Sequence, residues 1–195
     1  MSDELIIEKT AAVSTLTLNR PDKANALDAV LVDALAAAVA AAHQDGTRLL
    51  VLKGNGRHFC AGFDFGGYET ASEGELLQRF ARIELLLQAV YHAPFATLAL
   101  AQGRNFGAGV DLVLACGSRV AAPDAQFRMP GLKFGLQLGT RRLAARIGAD
   151  AARAASSWAT GSSSSLGTQR CARPIRSASW PFLTSPARRS AAAVG

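Results

Sequence analysis

Apolar and polar positions alternate with two different periods along roughly the first three quarters of the chain. Short runs of β-branched and apolar residues, which are typical of strands, occur at 5–8, 13–18, 49–52, 95–101, 119–122 and 125–127. Longer segments with apolar residues three or four positions apart predict helices at 28–43, 73–91, 110–116 and 140–147. Asp28 is a suitable N-cap for the first helix, and Pro94 ends the second. Strands and helices therefore alternate, which predicts an α/β layered fold with short turns.

The composition is that of a globular protein. The chain has 195 residues, of which 49% are hydrophobic and 18% are charged, enough for one domain with a core. No apolar run approaches the roughly 20 residues of a membrane span, and the acidic N-terminus argues against a leader peptide. Three distant cysteines, Cys60, Cys116 and Cys171, favour reduced thiols in a cytoplasmic protein. None of the cysteines has a partner at metal-ligand spacing, so we expect no metal site. Because no apolar run is long enough to span a membrane, we also expect no membrane contact.

Five of the six net positive charges lie in the C-terminal tail. Residues 155–195 contain five arginines, ten serines and no acidic residue, and their pattern fits neither a helix nor a strand. One interpretation is a disordered basic tail, and the other, which we favour, is translation out of frame. We therefore divide the chain into a domain at 1–154 and a tail at 155–195. Nucleic-acid binding through the tail is a third function class, but we expect no nucleic-acid partner for the domain.

Two small-residue turns carry the candidate chemistry. Residues 59–64 end in Asp64, and residues 103–111 lead through glycines into a helix with Asp111 in its first turn. Small residues allow a backbone to approach a ligand closely, and a helix N-terminus presents unpaired N–H groups. Two such turns in contact would form an oxyanion site with a carboxylate that transfers protons. Alternatively, Asp111 only complements the helix dipole.

Four ordered motifs lie between residues 19 and 143. They are the Asn-Arg-Pro…Asn-Ala-Leu segment at 19–27, the Phe-Cys-Ala-Gly-x-Asp loop at 59–64, the turn at 103–111 and the segment from 125 to 143. Together they resemble the crotonase (enoyl-CoA hydratase/isomerase) superfamily. The resemblance implies a crotonase-like spiral of ββα units, an acyl-CoA thioester substrate, no separate cofactor, and a homotrimer or homohexamer. It also implies C-terminal helices, which we expect to be missing or replaced because the tail shows no such pattern.

The resemblance also implies site residues. The thioester oxygen would be held by the backbone N–H groups of Phe63 and Ala108, and Asp111 would be the first catalytic carboxylate. The second catalytic glutamate of hydratases follows a proline, whereas Pro130 is followed here by Gly131, which has no proton to give. The implied substrate-binding positions are Arg20, Lys23, Ala24, Ala61, Gly62, Asp64, Gly107 and Gly131.

Two hypotheses follow from these motifs. The first is an acyl-CoA enzyme of the family, with double-bond isomerisation or another one-acid reaction favoured over classical hydration because Gly131 stands where the second acid is expected. The second is a catalytically weak or inactive protein of the same fold that binds acyl-CoA or a partner. The intact turns favour the first, and Gly131 and the tail favour the second.

Overall fold

The computed structural model describes residues 3–131 and 139–157. Seven strands and five α-helices lie within these residues. In chain order they are β1 (Leu5–Thr10), β2 (Val13–Leu18), α1 (Ala29–Ala42), β3 (Leu49–Gly54), α2 (Glu73–Tyr91), β4 (Ala96–Ala101), β5 (Arg104–Phe106), α3 (Ala108–Ala115), β6 (Ser118–Ala121), β7 (Gln126–Arg128), α4 (Thr140–Ile147) and α5 (Ala149–Ser157). No helix in this part of the chain is both long and apolar enough to cross a bilayer.

The main sheet has the strand order β1-β2-β3-β4-β6. Strands β1 and β2 form an antiparallel hairpin, and every later neighbour is parallel. The parallel strands are connected through helices because a parallel pair needs a long crossover. Their buried positions include Leu16, Leu50, Leu52 and Ala99.

A second, smaller layer follows the main sheet along the chain. Strand β5 pairs with β7 in parallel, and single parallel bridges join Leu27 to Phe63 and Cys60 to Asn105. Each turn of the chain thus contributes a main-sheet strand, then a short extended segment in this layer, and then a helix. This arrangement is the predicted spiral of ββα units, and it stacks the segments that carry the two predicted turns.

Helices α1 and α2 begin where side chains satisfy their first N–H groups. The Asp28 carboxylate accepts the Leu31 N–H at 2.8 Å, and Ser72 forms a capping box with Glu75, each cap being worth about 1 kcal/mol. Helix α1 then packs on β1 and β2, and α2 packs on α1 and α3. The buried residues include Leu31, Leu35, Ile83, Leu86 and Leu87. This core fixes the platform on which α3 and its turn rest.

Most predicted elements are confirmed. Helices α2 and α4 and strand β2 have the predicted bounds, while the other bounds differ by a few residues. One prediction was wrong, since residues 104–106 form strand β5 rather than part of a turn. Helix α5 was not predicted; it ends at Ser157, and the division into a domain and a tail stays a prediction. Strand β5 was missed because only its pairing with β7 distinguishes three residues beside glycines from a loop. Residues 158–195, and with them the predictions for most of the tail, lie outside the described residues.

Candidate functional site

The first turn is held by backbone hydrogen bonds to the segment before α1. Leu27 N–H donates to the Gly62 carbonyl at 2.7 Å, and Asp64 N–H donates to the Leu27 carbonyl at 3.1 Å. In a parallel bridge this pattern turns the N–H of the intervening residue, Phe63, to the opposite side. That N–H has no acceptor within the described residues, and Phe63 is only half-buried. It is therefore available to an external oxygen.

The second turn places the N-terminus of α3 beside the first. Gly107, at φ +49°, precedes the helix, and its N–H donates to the Arg128 carbonyl at 2.8 Å. Ala108 is the first helical residue, so its N–H has no intrahelical acceptor, and none is found elsewhere among the residues described. Asp111 N–H donates to the Gly107 carbonyl at 3.1 Å and closes the first turn of the helix.

The two turns touch through their backbones. Phe106 N–H donates to the Cys60 carbonyl at 3.1 Å. A Cβ on Gly62 would lie 2.3 Å from the Phe106 oxygen and 3.3 Å from the Ala108 nitrogen, and one on Gly109 would lie 2.2 Å from the Cys60 oxygen. Real Cβ atoms do not make such contacts, so glycine is required at both positions. This close approach brings the Phe63 and Ala108 segments together.

Asp111 is almost completely buried and lies near the N-terminal end of helix α3. Its side chain is 3% exposed, and its Oδ1 atom has no hydrogen-bond partner in the described part of the chain. Burial raises the pKa of Asp111 from 3.8 to about 7, while the Arg142 charge lowers it and Glu84 raises it. A carboxyl group with a pKa near neutrality can both accept and release a proton.

Gly139 leaves room for the Asp111 carboxylate. A Cβ on Gly139, the residue before α4, would overlap Oδ1 at 1.3 Å. Pro130 lies on another side of the site, with its Cδ atom 4.0 Å from a Cβ built on Gly107. Gly131, which stands at the position expected for a second acid, therefore follows a residue beside the second turn.

Arg20 is enclosed by carboxylates. Its guanidinium contacts Glu4 at 3.1 Å, Asp28 at 3.1 Å and Asp64 at 2.9 Å. Burial would raise the pKa of Asp64, but the Gly66 amide and the Arg20 guanidinium together lower it. The charge of Arg20 is thus engaged in joining the hairpin, the start of α1 and the first turn, and its predicted contact with substrate stays a prediction.

Ala61 belongs to the first turn, and Lys23 and Ala24 lie in the segment that is hydrogen-bonded to it. Lys23 is exposed and Ala24 is half-buried, and Ala61 N–H donates to the Ala24 carbonyl at 2.9 Å. The structure therefore brings Ala24, Ala61, Gly62 and Asp64 together, and their roles in substrate binding stay predictions.

Helix α2 supplies a clamp that the sequence did not reveal. Arg79 donates to the Asp64 carbonyl at 2.5 Å and to the Gly66 carbonyl at 3.3 Å. The same guanidinium lies 4.4 Å from the centre of the Phe63 ring, whose other neighbours include Phe80 at 4.6 Å. These contacts hold both the backbone and the ring of the first turn. No sequence signal separates Arg79 from Arg82, the other arginine of α2, because the role of Arg79 depends on contact with a distant loop.

The described cysteines are packing residues rather than nucleophiles. Cys60 and Cys116 are fully buried, and burial raises the pKa of each thiol to about 12, so neither is a thiolate at neutral pH. No group of three or more histidine, cysteine or acidic side chains could hold a metal ion within residues 3–131 and 139–157.

Comparisons with known proteins identify related sequences. The sequence profile of the family described as enoyl-CoA hydratase/isomerase matches residues 8–165. The probable enoyl-CoA hydratase echA6 of Mycobacterium bovis is 37% identical over 151 residues, which are 76% of this chain and 60% of the relative. A probable enoyl-CoA hydratase of Rhodobacter capsulatus is 39% identical over 131 residues, which are 66% of this chain and 50% of the relative. The chain thus spans about half to three fifths of the length of these curated relatives.

Solved structures share the fold. A crystal structure from Bordetella parapertussis, titled as an enoyl-CoA hydratase/isomerase, superposes with a TM-score of 0.79 at 58% identity, covering 81% of this chain and 66% of that one. The enoyl-CoA hydratase of Bacillus anthracis superposes with a TM-score of 0.74 at 27% identity, covering 78% and 61%. These likenesses confirm the predicted α/β crotonase fold.

Proposed function

Because the chain belongs to the enoyl-CoA hydratase/isomerase family of the crotonase superfamily, we propose that it processes an acyl-CoA thioester through an enolate. One observation carries this proposal. The unpartnered N–H groups of Phe63 and Ala108 lie on adjoining turns, with the buried Asp111 carboxylate in the helical turn that follows. Two N–H donors stabilise a developing oxyanion. Coenzyme A would enter as part of the substrate, and no separate cofactor is required.

Asp111 would transfer the proton. An enolate forms when a base removes a proton beside the thioester, and an isomerisation is complete when the same proton carrier returns a proton to a different carbon. A single carboxyl group with a pKa of about 7 suits both steps. Classical hydration uses a second carboxylate to activate water, and Gly131 offers none. We therefore favour isomerisation, or another one-acid reaction of fatty-acid metabolism, over hydration.

A second candidate function is acyl-CoA binding with little or no turnover. It is favoured by Gly131, which offers no carboxyl group at the position expected for the second acid. In this case Lys23, Ala24 and the first turn would still contact the thioester and its carrier, because these residues do not depend on proton transfer.

The experiment measures turnover and binding separately. The purified chain is assayed with crotonyl-CoA and with a 3-enoyl-CoA, and its affinity for each is measured by calorimetry. We expect conversion of the 3-enoyl thioester, and Asp111→Asn should reduce the rate by about 100-fold or more while binding persists. Asp124→Asn, at an exposed position, is the matched control. Turnover that survives Asp111→Asn would refute the role of Asp111, and binding without turnover in the unmodified chain would favour the second candidate.

We also propose that the protein acts in the cytoplasm as a homotrimer or homohexamer. This rests on family membership. Light scattering on the intact chain tests the assembly, and a monomer that binds acyl-CoA would show that assembly is not needed for the site.

A further inference from the structure

An ion pair between α2 and α4 lies beside the Asp111 carboxyl group. The Arg142 Nη1 atom donates to Glu84 Oε2 at 3.1 Å, and Nη2 contacts Glu84 Oε1. Gln88 donates to that same Oε1 atom at 2.6 Å. Two parallel N–H···O bonds orient a guanidinium more strictly than a single contact does, and the Arg142 side chain is only 12% exposed. Glu84 therefore fixes the direction in which Arg142 points.

The Asp111 carboxyl group lies against the start of α4, the helix that carries Arg142. Gly139, three residues before Arg142, lies against Oδ1 of Asp111, and this oxygen has no hydrogen-bond partner among residues 3–131 and 139–157. A buried carboxylate oxygen without a partner is costly and attracts any cation within reach. The field of Arg142 acts on Asp111, but both described contacts of its guanidinium are with Glu84.

No other charge in the described part of the chain competes for this position. Helices α2 and α4 and strands β4 and β5 pack against α3. Glu84 on α2 and Arg142 on α4 are the charged groups whose fields act on Asp111. Strand β4 has no ionisable side chain, and Arg104 of β5 is exposed.

We propose that Glu84 is a positioning residue that holds Arg142 away from Asp111 and thereby leaves the Asp111 carboxyl group free to exchange a proton. The inference rests on the proposed function, because it explains how that function obtains its acid and base from one residue. An aspartate paired with arginine stays ionised, with its pKa lowered by about 1–3 units, so it could accept a proton only weakly and could not return one near neutral pH. Without a fixed ion partner, the buried carboxyl group exchanges its proton near pH 7.

The test follows the titration of Asp111 without any substrate. The chain is labelled with ¹³C at the aspartate carboxyl carbons, and the Asp111 signal is assigned by its loss in Asp111→Asn. In Glu84→Gln, Arg142 is released and Asp111 should titrate lower by about one pH unit or more. In Arg142→Gln, the favourable charge is lost and Asp111 should titrate higher. Because Glu84 acts through Arg142, the double variant should titrate close to Arg142→Gln, and a midpoint that equals the sum of the two single shifts would overturn the positioning role.

Matched controls remove the same charges at exposed sites on the same helices. Glu73→Gln on α2 and Arg141→Gln on α4 should leave the Asp111 midpoint unchanged. Shifts of the same sign in Glu84→Gln and Arg142→Gln, or no shift in either, would overturn the proposal. If one single variant does not fold, the double variant is compared with the other: its midpoint should match that of Arg142→Gln or lie above that of Glu84→Gln.

The outcome is separable from that of the proposed function. If the two single variants shift the Asp111 midpoint in opposite directions but the chain turns over no acyl-CoA, the positioning of Arg142 is supported. Only the proposed enzymatic function is then rejected. Turnover that depends on Asp111, with a titration midpoint that neither variant moves, would support the enzyme and reject the role of Glu84. In an active chain, the pH dependence of kcat/KM should move with the titration midpoint in each variant.

Discussion

Replacing Asp111 with asparagine should change how the stability of the protein depends on pH. The substitution keeps the shape of the side chain and removes its charge. Burial raises the pKa of Asp111 from 3.8 to about 7, so the folded protein binds this proton more tightly than the unfolded chain does. The contribution of Asp111 to stability is therefore most favourable below pH 3.8, falls as the pH rises toward 7, and is constant above that.

The magnitude follows from the same two values. One unit of pKa difference corresponds to about 1.4 kcal/mol, so raising the pKa from 3.8 to about 7 makes ionised Asp111 cost about 4 kcal/mol at pH 8. Asparagine does not ionise and avoids this cost. Its amide group adds an offset of its own, but that offset does not change with pH, and the slope is therefore the diagnostic quantity.

Urea unfolding of both proteins between pH 5 and pH 8.5 measures the slope. We expect the stability of Asp111→Asn to rise relative to that of the unmodified protein by about 2–3 kcal/mol between pH 5 and pH 8. Contributions from the other carboxyl groups are common to both proteins and cancel. Asp124→Asn should show no such trend, because Asp124 is exposed. A stability difference for Asp111→Asn that does not vary with pH would refute the raised pKa.

Two further predictions concern the residues that support the site. Gly139→Ala places a Cβ atom on the Asp111 carboxylate and should lower the free energy of unfolding by about 1–3 kcal/mol. Gly74→Ala, which has open space around it in α2, should raise the free energy of unfolding by about 0.5–1 kcal/mol. Equal effects of the two substitutions in urea unfolding would contradict the contact between Gly139 and Asp111. Arg79→Gln should loosen the first turn and increase amide hydrogen exchange at Phe63. Arg82→Gln, which breaks only an exposed ion pair, should leave this exchange unchanged. Unchanged exchange in Arg79→Gln would show that Arg79 does not hold the first turn.

Local signals along the chain were sufficient for most of the secondary structure. Asp28 begins α1 and Pro94 follows α2, because a side-chain acceptor at a helix start and a proline after a helix end act within a few residues. The motifs at 59–64 and 103–111 likewise identified the two turns and Asp111. Small residues allow close approach to a backbone, and a helix start presents free N–H groups, whatever the rest of the fold. The sequence by itself therefore determined the order of most elements, the family and the candidate donors.

The tertiary structure decided how those parts act on each other. Strand β5 exists because β7 pairs with it, and the two turns become one site because Gly62 and Gly109 allow backbones more than 40 residues apart to touch. Three further interactions join distant segments. They are the ion pairs of Arg20 with three carboxylates, the hydrogen bonds of Arg79 to the first turn and the ion pair of Arg142 with Glu84. Their effects are electrostatic and steric, and both depend on separations in space that no local pattern of residues records.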